Sequence, residues 1–174
     1  GIRHQWLVDN TSQGVNAGGD ALADADILGM LKLMGKYAVT PSDLVMVCDV
    51  STYIKGFMNL DAVQTLDKYG PNAVILSGEL AKYRGVPIVV SEGAPLTEAD
   101  GKVSTTAGNN TLGQVSCANR RMWKVGTRRT LLIEVDRDIQ KRMMIMVASF
   151  RMAAGCRGTR SSATHTAGIY NILV

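Results

Sequence analysis

The sequence predicts a mixed α+β fold: a compact α/β core followed by a strand-rich region. Three patterns predict it. Short apolar runs at Leu44–Val50, Ala73–Ser77 and Val86–Ser91, rich in β-branched residues, have the length of buried strands, and helical patterns lie between them. Further on, Thr130–Asp136 and Met143–Met152 alternate with period two around the polar stretch DRDIQKR, as two strands of a long antiparallel hairpin would. Finally, 46% hydrophobic residues in 174 suit one core-forming domain, or one domain plus part of another.

The elements follow in chain order. Gly1–Asp9 reads as a short strand or an arm, and Asn10–Asp20 as a loop by its Gly, Asn and Ser content. The loop's glycines lack the Gly-Lys-Ser/Thr of a phosphate-binding loop. From Asp20 to Tyr37 the spacing is helical, with Leu28, Leu31, Met34 and Tyr37 in a stripe that Ile27 and Met30 widen. Acids at its start and Lys32 and Lys36 near its end suit the helix dipole. After the first strand, Ser51-Thr52 offers a cap to a helix through Met58. Asp61–Tyr69 reads as a second short helix stopped by Gly70-Pro71. Pro87 has no N–H, so it belongs at the first positions of its strand or at an edge. Glu92–Asn110 is a long loop with a small hairpin expected around Asp100-Gly101.

The composition shifts near residue 112. Leu112–Ala118, Met122–Val125, Thr130–Val135 and Met143–Met152 read as strands, Gly155–Gly168 as a loop and Gly168–Val174 as a terminal strand. The expected organisation is a segment 1–19, a core 20–111 and a β-ribbon region 112–174. On the last long strand Met144, Met146, Ala148, Phe150 and Met152 share one face, and Met143, Ile145, Val147, Ser149 and Arg151 the other. A two-stranded ribbon is marginal alone, so one that is apolar on both faces needs a cover.

Charge narrows the function. Residues 120–160 hold eleven Lys/Arg against three acids, about +8 in a chain of net +4. That asymmetry suits a nucleic-acid face, complementary subunit edges or a solvated basic surface. No apolar run approaches the roughly 20 residues of a membrane span. Cys48, Cys117 and Cys156 are widely spaced and read as free thiols, mostly buried. His4 and His165 stand in segments without regular patterning, and neither has a partner at metal spacing. A Cys48–His pair and paired carboxylates Asp49 and Asp67 are the remaining catalytic options, but Cys48 lies inside an apolar strand. No cofactor is expected. The chain opens with Gly1 rather than Met, which reads as processing, truncation or renumbering.

Four stretches carry a resemblance: KLMGKYAVTPSDLVMVCDVSTYIKGF, the run from Tyr69-Gly70-Pro71 through SGELAKYRGVPIVVSE, MWKVGTRRTLLIEV, and MMIMVASFRM. In this order and spacing the chain resembles the C-terminal half of the major capsid protein of tailed bacteriophages, the Hong Kong 97-like fold. The resemblance covers most of residues 20–172. It implies an A-domain over residues 20–111 with a central sheet between helices, and a P-domain sheet beyond. It implies that an N-arm, an extended E-loop and a long spine helix precede Gly1, the helix covering the ribbon. It further implies a structural, non-enzymatic protein of the virion, assembled in the host cytoplasm into pentamers and hexamers around double-stranded DNA held without base readout. Scaffold, portal or decoration proteins would be further partners, and no membrane. Some members cross-link through a Lys–Asn isopeptide near the hairpin turn; DRDIQKRMM contains no Asn. Arg128, Arg129 and Arg151, flanking the apolar ribbon, are the candidate subunit contacts. An encapsulin-like compartment holding protein cargo is the alternative on the same fold. A basic nucleic-acid-binding module and an α/β enzyme are the alternatives of other classes.

Overall fold

The computed structural model describes residues 1–60, 63–64, 81–138 and 140–174. The strand expected at Ala73–Ser77, Asp67, and most of the helix expected at Asp61–Tyr69 lie outside them. The chain divides into two compact units, residues 1–122 with 158–174, and residues 123–157. The break expected near residue 112 therefore falls about ten residues later, and the chain returns to the first unit for its last strand.

Among the described residues, seven strands form the sheet of the first unit. They are β1 (Gly14–Asn16), β2 (Leu44–Cys48), β3 (Val63–Gln64), β4 (Ala81–Tyr83), β5 (Val86–Val90), β6 (Leu112–Asn119) and β9 (Thr166–Leu173), in the order β1-β9-β6-β2-β5-β4-β3. The pairs β1–β9 and β2–β5 are parallel and the others antiparallel. Val63–Gln64 pairs with Lys82–Tyr83 as a strand, where a helix was expected. Arg84 and Gly85, both at positive φ, make the two-residue turn between β4 and β5, the backbone twist that such hairpins favour. Pro87 is the second residue of β5. Where a small hairpin was expected around Asp100-Gly101, the chain makes a turn without flanking strands, the Asp100 carboxylate accepting from the Lys102 N–H at 2.8 Å.

Helix α2 (Asp24–Met34) and helix α3 (Val50–Lys55) contribute to the core on one face of this sheet. Ile27, Met30 and Met34 of α2 are fully buried, whereas Leu28 is 43% exposed. The stripe is thus rotated by one residue from that read in the sequence. The α3 cap is Asp49 rather than Ser51 or Thr52: its carboxylate accepts from the Ser51 and Thr52 N–H groups at 2.8 and 3.2 Å, and from the Thr52 hydroxyl.

The other face is covered by the N-terminus, which is no loose arm. Helix α1 (Ile2–His4) continues as a wider turn through Asp9. Trp6, fully buried, lays its ring against Gly168, where any Cβ would collide with it. Its indole N–H donates to Ser116 Oγ at 3.0 Å, and its ring stacks on Tyr170. Ser116 and Gly168 are cross-strand partners, so one aromatic side chain bridges β6 and β9. His165, expected in an irregular segment, is 1% exposed, bonded to the Thr166 hydroxyl and set edge-on to Tyr37.

The second unit is a ribbon, β7 (Trp123–Asp138) paired antiparallel with β8 (Met143–Cys156). β7 is one long strand where two shorter ones were expected. The Asp138 carboxylate closes the turn by accepting from the Gln140 and Lys141 N–H groups.

Candidate subunit interface

The ribbon register sorts its side chains. Ile133 opposes Ala148, Val135 opposes Met146 and Arg137 opposes Met144. Nearer the base, Val125 opposes Ala154 and Thr127 opposes Met152 on that same face. With Phe150, this face is apolar but for Thr127 and Arg137, and its large side chains are 52–70% exposed. Burying one such side chain stabilises by about 1.5–3 kcal/mol, so the free chain forgoes several contributions of that size.

The opposite face is charged. Glu134, Asp136 and Asp138 oppose Val147, Ile145 and Met143 towards the turn, and Leu132 opposes Ser149. Towards the base, Arg129 stands directly across from Arg151, and Lys124 across from Gly155. Two register shifts, between Thr127 and Arg129 and between Arg129 and Leu132, bend β7 at this point. Arg128 and Arg151 also line one concavity of about 420 Å³ with Gly126, Phe150, Met152 and Ala153. Of the three sequence-predicted arginines, Arg128 and Arg151 share this concavity, and the backbone of Arg129 pairs with that of Arg151. The register shifts could not be read in the sequence, since a bulge leaves the residue pattern intact.

Among the described residues, which do not include Asp67, the catalytic candidates Cys48 and Asp49 take structural roles. Burial, and secondarily the charge of Asp49, pushes the Cys48 thiol up to about 12; burial alone does the same to Cys117. Both stay protonated thiols at neutral pH, the inert form. Asp49 is spent on its helix cap. Among the described residues, no three His, Cys, Asp or Glu side chains gather as a metal site would require. A concavity of about 430 Å³ in the first unit has Arg3, Ser91, Gln114 and Ser116 as its polar lining, without histidine, cysteine or carboxylate. Among the described residues no helix is long and apolar enough to cross a membrane.

No family model matches the sequence, and no curated protein matches it either. Solved structures do match. A chain of Mycobacterium phage Che8 is 18% identical, with 95% of this chain and 55% of that one covered and a TM-score of 0.54. A chain from the capsid of cyanophage P-SCSP1u is 18% identical, with 86% and 47% covered and a TM-score of 0.55. A chain of the mature capsid of bacteriophage PhiM1 is 13% identical, with 90% and 50% covered and a TM-score of 0.54. The chain therefore has the fold of phage capsid proteins, as the resemblance implied, and it spans about half the length of the solved chains it matches.

Proposed function

We propose that this chain is the C-terminal part of a major capsid protein of the Hong Kong 97-like type. In this reading the seven-stranded sheet belongs to the A-domain and the ribbon to the P-domain, and subunits close into pentamers and hexamers of a shell around double-stranded DNA. The observation that carries it is the exposed ribbon. One apolar face with Met144, Met146 and Met152 at 62–70% exposure is costly in a chain meant to remain free, and suits a subunit that buries it on assembly. The fold likeness supports this kind of assembly. The basic segment argues less well for a nucleic-acid module: among the described residues of the ribbon, Arg137 lies on one face and Lys124 and Arg151 on the other, so the bases are divided between faces.

Electron microscopy of the full-length gene product tests this. The expected result is closed particles of uniform size containing nuclease-protected duplex DNA when assembled in the host. Particles filled with protein would favour the compartment alternative. A monodisperse monomer that forms no particles would overturn the shell reading.

A further inference from the structure

The charged face of the ribbon has a polarity that the apolar face lacks. Its bases, Lys124 and Arg151, occupy the base half, and its acids, Glu134, Asp136 and Asp138, occupy the turn half. Leu132 and Ser149 separate them. Glu134, Asp136, Lys124 and Arg151 are exposed, and among the described residues none of them makes an ion pair. Along a strand, Arg151 lies about 14 Å from the level of Glu134 and about 20 Å from that of Asp136. Both distances exceed the roughly 8 Å over which physiological salt screens exposed charges. Within one ribbon, then, these charges barely attract one another.

We propose that this face is self-complementary and receives the same face of a second copy of this chain, antiparallel, about a two-fold axis near Leu132 and Ser149. Rotation about that axis carries the turn half of one ribbon over the base half of the other. Each Arg151 then meets the partner copy's acids at Glu134 and Asp136, and each Lys124 approaches those at the turn. The weakly apolar centre packs on itself. A parallel arrangement would instead put acid on acid and base on base, so the charges select one orientation as well as one partner.

The face is about 40 Å long and about 10 Å wide, roughly 400 Å² per copy against the roughly 800 Å² per partner of a standard stable interface. Such a contact is weak alone and counts when repeated. The inference rests on the shell reading, and its test separates the two. Two full-length variants are made: Lys124→Glu with Arg151→Glu, whose face is predominantly acidic, and Glu134→Lys with Asp136→Lys, whose face is predominantly basic. All four sites are exposed, and matching melting curves establish that the fold is kept. Sedimentation at low and high salt measures association of each variant and of their equimolar mixture. Each variant alone should associate at least tenfold more weakly than the unaltered chain, whose own association should weaken with salt. The mixture should return to the unaltered level. Variants that associate as the unaltered chain does, a mixture as weak as its components, or no association of the unaltered chain at low salt would each overturn the two-fold pairing. Particles seen by microscopy despite a failed rescue would leave the shell reading standing and remove only this contact.

Discussion

Removing apolar surface from the ribbon should damage assembly far more than folding. Met144 and Met146 are 70% and 65% exposed, on the face shared with Val135 and Phe150. Full burial of a methionine contributes about 1.5–3 kcal/mol. The roughly one third already buried contributes about 0.5–1 kcal/mol for each. The double variant Met144→Ser with Met146→Ser should therefore cost the unassembled chain about 1–2 kcal/mol, and a chain whose ribbon is covered about 3–6 kcal/mol. The difference, about 2–4 kcal/mol, corresponds to a rise of roughly 30- to 1,000-fold in the concentration needed to assemble. Urea unfolding of the dilute chain reads the first cost, and light scattering against concentration reads the second. A loss of the full 3–6 kcal/mol already in the dilute chain would mean that this face is packed within the subunit. An assembly threshold unchanged within threefold would mean that nothing covers it.

Two further outcomes concern the first unit. Trp6→Ala should cost about 3–5 kcal/mol in urea unfolding, because the ring that bridges Ser116 and Gly168 is lost with its hydrogen bond; a cost below about 1 kcal/mol would show that the N-terminal helix is not part of the core. The thiols Cys48 and Cys117, held up to about 12 from an ordinary 9.0, favour the native state in their protonated form. Their contribution is fully present below pH 9 and is lost as pH rises towards 12. The urea midpoint should accordingly fall above pH 9, less so in Cys48→Ala, and native protein at pH 8 should label with iodoacetamide at Cys156 alone.

How much of this was legible in the sequence depended on whether the deciding contact was local. β2, β5 and the long hairpin were readable because their alternation is set by which side chains meet a core or a cross-strand neighbour. The faces of β8 were right for the same reason. The α2 stripe was misphased because ILGMLKLM is apolar on adjacent phases, so only the sheet beneath it decides between Ile27 and Leu28. β1 is three residues within a Gly- and Asn-rich stretch and exists by pairing with β9, about 150 residues away in sequence. The burial of Trp6 depends on the missing side chain of Gly168, another distant partner. Strand content after residue 112 was visible, but not that β6 and β9 join the core sheet while β7 and β8 leave it. Of the candidate interface, the residue types and faces could be read, whereas the register shifts on either side of Arg129 could not.

The ribbon's edges bear on how any partner reaches it. With only two strands, both outer edges of β7–β8 offer unpaired backbone groups, and long apolar edges invite indefinite strand addition. Here the β7 edge is interrupted by two register shifts and carries Arg128 and Arg129 where it bends. Bulges and charges of this kind are ordinary defences against edge pairing. They leave both faces open while discouraging growth along the hydrogen-bonding direction. A closed shell requires contacts that end after a fixed number of neighbours, and an open edge supplies no such limit. Face contacts do: a face pairs once and is then covered. The division of labour in this ribbon, apolar on one face and split by charge on the other, with its bend at β7, is thus what a finite assembly asks of a strand pair.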